Sequence, residues 1–413
     1  MISFIHAAPL RLPSRHDRLG SGMLTDPLSI ESLCSALNAP DWVLSFKHIP
    51  GDKVVFGPGK LGTVGAEATE LGSSHALIVS DPGIARTDCI ERAVSAINEA
   101  GIKSTVFDKV HENPTTDDVE ACVVVAREAG VDLIVGLGGG SSMDTAKGCN
   151  FILTNGGTMK DFWGVDLAKE PMLPLITIPT TSGTGSECQS FALIADAKTH
   201  AKMACGDKKA AAAVAILDPE LTLSMPAAVT AHTGIDAIAH ALETAVCNKR
   251  TDISYAYSKA AWQLLNEGLE CVMKQPDDME ARARMQLGAA FAGTAIENSM
   301  LGIGHSCANP VTAHYGTVHG QAVGTMMPEV IAFNSRNEQV ASIYSELYEG
   351  DLVGRLRDLL ASANMDLSLA DLGVKAGKLP QLAEEAAKQW TAQFNPVTVD
   401  ATALEAVYRA AMG

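Results

Sequence analysis

The chain is predicted to be an α/β layer built on a parallel sheet, followed by an all-helical domain. The boundaries read as an N-terminal extension over 1–45, the α/β unit over 46–220 and the helical unit over 221–413. Three observations carry this. Short β-branched runs alternate with helix-type stretches from Lys53 to about Asp218, the pattern of a parallel sheet covered on both faces. Beyond Leu221, Ala-, Leu- and Met-rich helical stretches dominate without a convincing strand. At 413 residues the chain also exceeds what one hydrophobic core usually organises.

The strand candidates, in order, are KVVFG (53–57), ALIVS (76–80), STVF (104–107), DLIVGL (132–137) and PLITI (174–178), each bounded by Gly, Pro or Asp. Helices are expected at 88–100, 115–129 and 141–153, the second with a capped, acid-rich first turn at Thr115, Asp117 and Asp118. In the second half, helical stretches cover 234–243, 286–308 and 319–333, with Asn309-Pro310 breaking the middle one. Sites in open α/β sheets lie beyond the carboxyl ends of the strands. Here that edge would face the helical unit, so the chemistry is expected in the cleft between them.

Composition narrows the function. Apolar residues make up 47 % and charged residues 19 %, as in a folded chain with a large interior. The net charge of −17 argues against a nucleic-acid partner and against docking on anionic membranes. Nine cysteines lie scattered with no CxxC pair, which reads as reduced thiols in a cytoplasmic protein rather than a disulfide framework or a zinc-thiolate site. No run approaches the ~20 apolar residues of a membrane span. Near the start, Arg11, Arg15 and Arg18 follow the apolar run instead of preceding it, the wrong order for a secretory signal. The acid-poor stretch to Met23 fits a tail, an early start codon or another kind of targeting peptide.

Two loops point to a nucleotide. Gly138, Gly139 and Gly140 follow the strand at 132–137 and, with Ser141, open a helix. Three glycines let the backbone turn tightly and approach a bulky anion, while free N–H groups at the helix start bind phosphate. A tight strand-to-helix turn without ligand is the alternative for this loop alone. The second loop, Pro179-Thr180-Thr181-Ser182-Gly183-Thr184-Gly185-Ser186-Glu187, follows the strand at 174–178 and adds hydroxyl and N–H donors on the same edge. Asp81, just after the strand at 76–80, is placed to accept from ribose hydroxyls and to repel a 2′-phosphate, favouring NAD over NADP; it also fits a plain turn.

A metal is expected in the helical unit. Asp236 and His240 are four apart in an Ala-rich helix, hence neighbours on one face. A buried carboxylate beside a buried imidazole is costly, and a divalent cation compensates both, although a hydrogen-bonded pair would also suit this segment alone. His305 and His319, near the ends of two further helices, extend the set. One carboxylate and three imidazoles suit Fe²⁺ or Zn²⁺ with a position open for substrate.

Taken together, GGGSSMDTAK (138–147), IPTTSGTGSE (178–187), the pattern Asp218…Pro226…Gly234-Ile-Asp236…His240…Glu243 and the His305/His319 pair resemble the iron-containing (group III) alcohol dehydrogenases. The resemblance covers about 50–413 and implies a dehydroquinate synthase-like architecture with metal and nicotinamide meeting in the cleft. It implies Asp236, His240, His305 and His319 as metal ligands and catalytic centre. It implies Asp81, Gly138, Gly139, Gly140, Ser141, Asp144, Thr180, Thr181, Ser182 and Lys202 as cofactor-binding positions. A homodimer or higher homo-oligomer is part of the same implication.

One departure stands out. Many members carry a further His four residues beyond the third ligand; here that residue is Asn309, whose amide cannot shuttle a proton near pH 7. His314 is a substitute, or a surface turn residue. Phe191 is read as a pocket wall or as core. The implied reaction is hydride transfer between a nicotinamide and a small alcohol or aldehyde, with hydroxyacid–oxoacid transhydrogenation as the alternative. A dehydroquinate synthase-like lyase would need basic residues around the ligands, and 230–247 and 299–332 contain no Lys or Arg.

Overall fold

A computed structural model describes residues 28–413, apart from Ala36 and Asn38. The stretch to Met23 discussed above therefore lies outside the described residues. Nine strands occur among them: β1 (Lys53–Phe56), β2 (His75–Val79), β3 (Lys103–Phe107), β4 (Leu133–Gly138), β5 (Gly164–Val165), β6 (Leu175–Pro179), β7 (Phe191–Ala195), β8 (Lys202–Gly206) and β9 (Val214–Leu217). Six form one sheet in the order β1-β9-β6-β4-β2-β3, with every neighbouring pair parallel. A small second sheet runs β5-β8-β7, its β7–β8 pair antiparallel.

The helices begin with α1 (Ile30–Leu33) and α2 (Asp41–Leu44), then α3 (Val64–Glu70), α4 (Cys89–Glu99), α5 (Thr116–Ala129) and α6 (Gly140–Asn155) around the sheet. Alternate residues of β2 enter two separate apolar clusters, Leu77 and Val79 in one and Ala76 and Ile78 in the other. That is the signature of a sheet covered on both faces. The acid-rich start of α5 works as its spacing predicts. Asp118 Oδ2 accepts from the Thr115 N–H and hydroxyl, each at 2.8 Å, and Gly130 ends the helix at φ 65°.

The second half is helical throughout its described residues: α7 (Ala227–Thr244), α8 (Asp252–Lys274), α9 (Met279–Glu297), α10 (Ile303–Tyr315), α11 (His319–Asn334), α12 (Glu338–Leu347), α13 (Leu352–Ser362), α14 (Leu379–Ala387) and α15 (Ala401–Ala410). The predicted class, a parallel α/β layer with an all-helical partner, is what the chain adopts.

Several details differ from the sequence expectation, the strands β5, β7 and β8 of the small second sheet among them. The expected break at Asn309-Pro310 does not occur: Pro310 lies inside α10, and the interruption falls between Glu297 and Ile303. A proline inside a helix removes one backbone bond, and here the buried helix around it, with Val311 fully covered, outweighs that cost. β9 is not among the strand candidates: Val214–Leu217 is only four residues long and follows three alanines, and parallel pairing with β1 and β6 on either side holds it. The segment 28–46 does not stand apart from the helical layer. Leu33, Val43 and Phe46 are buried in the helical core, Phe46 packs 4.9 Å from Phe291, and the Tyr257 hydroxyl donates to the Trp42 carbonyl at 3.2 Å.

The sheet order also locates a crevice. From β2 the chain passes outward to β3 and then returns to β4 on the other side of β2, so the order reverses between β2 and β4. Ligands of open α/β sheets bind at such a reversal, beyond the carboxyl ends.

Candidate active site

Asp81 and the glycine turn flank that reversal. Gly138 has φ +150°, a conformation L side chains rarely adopt, and a Cβ there would run into the Ser142 hydroxyl. Gly139 precedes α6 and Gly140 opens it; a Cβ on Gly140 would come 2.7 Å from Thr184 Cγ2. The glycines thus let the second loop close over the start of a 16-residue helix, whose first N–H groups and dipole favour an anion. Thr180 N–H donates to the Gly138 carbonyl at 3.0 Å, joining the two loops. Ser182 is buried and its hydroxyl has no hydrogen-bond partner. Asp81 accepts from the N–H groups of Gly83 (2.8 Å) and Ile84 (3.1 Å), and from the Ser142 hydroxyl at 3.2 Å. Ser141 and Thr181 are half-buried on this same edge.

Asp144 and Lys202 sit differently. The Asp144 carboxylate accepts from the Ser186 hydroxyl at 2.7 Å and the Leu193 N–H at 3.2 Å, so its hydrogen bonds tie α6 to the second loop and β7. Burial raises its pKa against the opposing pull of Lys147. Lys202 is exposed on β8, and its charge reaches both Asp144 and His319. The cluster is therefore less remote from basic residues than the local sequence implied.

Four residues separated by more than eighty positions meet above this edge. His305 lies in the first turn of α10 and His319 opens α11, so two helix starts face Asp236 and His240 on α7. The Nε2 atoms of His305, His240 and His319 lie 3.3, 3.6 and 3.7 Å from one oxygen, Asp236 Oδ1. Asp236, His305 and His319 form the tightest group, one atom of each lying within 4.8 Å of the others. His240 stacks on His305, with ring centroids 4.8 Å apart. Asp236, His240 and His305 are buried, while the His319 side chain keeps 28 % exposure and marks the open side.

The donor set fits a divalent cation. Asp236 Oδ1 and His305 Nε2 are buried without a hydrogen-bond partner, an arrangement costly by about 1–3 kcal/mol per group unless something compensates. Burial alone would raise the Asp236 carboxyl, but His240, His305 and His319 hold it well below the usual range. Burial pushes His240 and His319 down, whereas Glu243 and Asp236 overcome burial at His305 and push it up to about 9.

The residues 51–219 match the family model described as iron-containing alcohol dehydrogenase, and 230–412 match the model of that family's C-terminal part. This chain belongs to the iron-containing alcohol dehydrogenase family. An iron-containing alcohol dehydrogenase is a metal-dependent alcohol oxidoreductase, and that is the class of this chain. Over 357 residues it is 35 % identical to the NAD-dependent methanol dehydrogenase of Bacillus methanolicus, covering 83 % of this chain and 93 % of that one. A crystal structure of 1,3-propanediol oxidoreductase matches with a TM-score of 0.85 at 28 % identity, covering 88 % of this chain and 98 % of that one. The sulfoacetaldehyde reductase of Bifidobacterium kashiwanohense, solved with NAD⁺, matches with a TM-score of 0.81 at 26 % identity, covering 88 % and 97 %.

Around this dehydrogenase site, Asn309 donates to Gln389 Oε1 at 3.1 Å, and His314 reaches Glu385 at 2.8 Å, near the far end of α10 from His305. Sequence reading assigned no role to two buried charges. Glu243 bonds to His305 and to the start of α10. Lys147 donates to the Ser186 carbonyl (2.7 Å), the Ser186 hydroxyl (2.8 Å) and the Phe191 carbonyl (3.0 Å). Glu243 had a signal: it lies three residues after His240 and seven after Asp236, on one helix face. Lys147 had none, because its acceptors are backbone and hydroxyl groups of the second loop and of β7, about forty residues away.

Proposed function

We propose that the chain interconverts a small neutral alcohol or diol with its aldehyde or ketone, using NAD in preference to NADP. Asp236, His240, His305 and His319 hold Fe²⁺ or Zn²⁺ and form the catalytic centre. Asp81, Gly138, Gly139, Gly140, Ser141, Asp144, Thr180, Thr181, Ser182 and Lys202 serve the nucleotide, Asp144 by holding the second loop in place. The carrying observation is the meeting of three imidazole nitrogens on one buried, unpartnered carboxylate oxygen. When bound, the cation supplies polarisation of the substrate oxygen and the nicotinamide supplies the hydride carrier. The chain's own part is positional. The glycine turn and the start of α6 receive the pyrophosphate, and the four ligands fix the cation facing it. The partly exposed His319 lies on the side from which substrate would enter.

Phe191 is read as one wall of the substrate pocket, where the sheet layer meets the helical one. Phe191 at the start of β7 and Trp390 beyond α14 lie with ring centroids 6.1 Å apart, and Thr391 meets the Ser306 hydroxyl at 2.7 Å, next to His305. An aromatic wall at Phe191 would favour a short, uncharged substrate. Free cysteines among the described residues, with no disulfide, support a reducing, cytoplasmic setting, and no described helix is long and apolar enough to cross a membrane. Assembly as a homodimer is read from the family and is checked by sedimentation.

The test is a metal-stripped sample assayed with NAD, NADP and a panel of C2–C6 alcohols and diols. NAD-linked turnover that disappears on chelation and returns with Fe²⁺ or Zn²⁺ is expected. Full turnover in the stripped protein would sink the reading, and cycling without cofactor release would favour the transhydrogenase alternative.

A further inference from the structure

A carboxylate buried among helices is costly unless charge-assisted hydrogen bonds satisfy it. Glu243 is 3 % exposed, near the end of α7. Its Oε1 accepts from the N–H of Gly302 at 3.1 Å and of Gly304 at 2.7 Å, two donors left unpaired at the start of α10. Its Oε2 meets Nδ1 of His305, and among the described residues this is the ion pair Glu243 makes. The approach is close because both residues beside it are glycines: a Cβ on Gly304 would come 2.9 Å from Oε1, and one on Gly302 3.1 Å. The opposite ring nitrogen, His305 Nε2, is buried without a hydrogen-bond partner and lies 3.3 Å from Asp236 Oδ1.

Resting on the metal reading above, we propose that Glu243 is a positioning residue for the metal centre: it holds the proton of His305 on Nδ1 and so presents Nε2, with its free electron pair, to the cation beside Asp236. The ring is thus fixed in tautomer and rotation by a carboxylate that also caps the helix carrying it. A group behind a metal-binding histidine acts in this way by orienting the ring and raising its basicity. Glu243 touches neither substrate nor cation, and its whole effect passes through His305.

Glu243→Gln separates the two tasks. The amide oxygen still accepts from Gly302 and Gly304, but the amide nitrogen now faces Nδ1 and offers a donor where an acceptor is needed. The metal-stripped variant is expected to keep wild-type circular dichroism and to melt close to the wild type. Its affinity for Zn²⁺, measured by competition with a chromogenic chelator, is expected to fall roughly 10–100-fold. Wild-type Zn²⁺ affinity in the variant would overturn the role of Glu243. A wild-type protein that binds no Zn²⁺ or Fe²⁺ would instead overturn the metal reading, and this inference with it. Should Glu243→Gln not fold, the zinc-loaded wild type decides by NMR with ¹⁵N-labelled histidine. A protonated Nδ1 signal that vanishes in His305→Gln is expected, and a His305 ring protonated on Nε2 would refute the proposal.

Discussion

At Asp236 one carboxylate oxygen faces three imidazoles, so the charge of this single side chain anchors the centre. Asp236→Asn keeps the shape and removes the charge. It is expected to lower metal affinity by more than the roughly 10–100-fold typical of groups behind the ligands, with NAD-linked turnover falling in step. Retained iron or zinc at full occupancy in the purified variant, measured by atomic emission, would speak against its role. A second carboxylate sets a pH response. Asp132 accepts from the Ser73 and Ser74 hydroxyls and from the N–H groups of Ser74 and His75, clipping β4 to the entry of β2. Burial alone would raise its pKa, but hydrogen bonds from Ser74, His75 and Ser73 hold it well below the usual range. A depressed carboxyl contributes stability above its unfolded pKa, and that contribution is lost as pH falls through the folded value. Asp132→Asn should therefore cost about 1–2 kcal/mol near pH 7 and progressively less below pH ~4. Urea midpoints of both proteins across that range check it; a pH-independent gap would contradict the assignment.

Two elements, the start of α6 and the loop after β6, have to touch for a nucleotide edge to exist. Gly138 with its φ of +150° and the missing Cβ of Gly140, whose place Thr184 takes, permit that contact. Gly138→Ala forces an L side chain into a strained backbone and against Ser142, at a cost of about 1–3 kcal/mol. The KM for NAD is expected to rise about tenfold or more, equivalent to ~1.4 kcal/mol, while the metal content stays unchanged. Beneath the contact, Lys147 holds the loop by three hydrogen bonds, and the Ser186 it grips donates in turn to Asp144. Lys147→Met fills similar space but leaves these acceptors unpaired, so a loss of about 2–4 kcal/mol and a higher KM for NAD are expected. An unchanged melting temperature and KM would show that the loop is held by its other contacts, such as Gly185 against Gly293 on α9.

On the proposed assignment, metal, nucleotide and fold are coupled across the whole molecule, because the four candidate ligands come from three helices and the candidate cofactor edge from the sheet opposite. Binding to the folded state alone adds stability, about 2.7 kcal/mol at a hundredfold excess over Kd. Chelation should lower the melting temperature, and Fe²⁺ or Zn²⁺ should restore it; a melting curve indifferent to metal would argue that the cluster binds none. The sequence by itself determined whatever depends on near neighbours along the chain. Short β-branched runs bounded by Gly, Pro or Asp place β1, β2, β3, β4 and β6, the glycine run marks the turn into α6, and the i, i+4 spacing puts Asp236 beside His240. Only the tertiary structure decided what depends on packing between distant segments. It made Val214–Leu217 a strand between two others, carried α10 through Pro310, and packed 28–46 into the helical core. It also set His305 and His319 against Asp236 and placed Glu243 behind one of them. The reason is physical: backbone propensity acts over a few residues, whereas the burial that compensates a proline, a short strand or a carboxylate comes from elements far away in the chain.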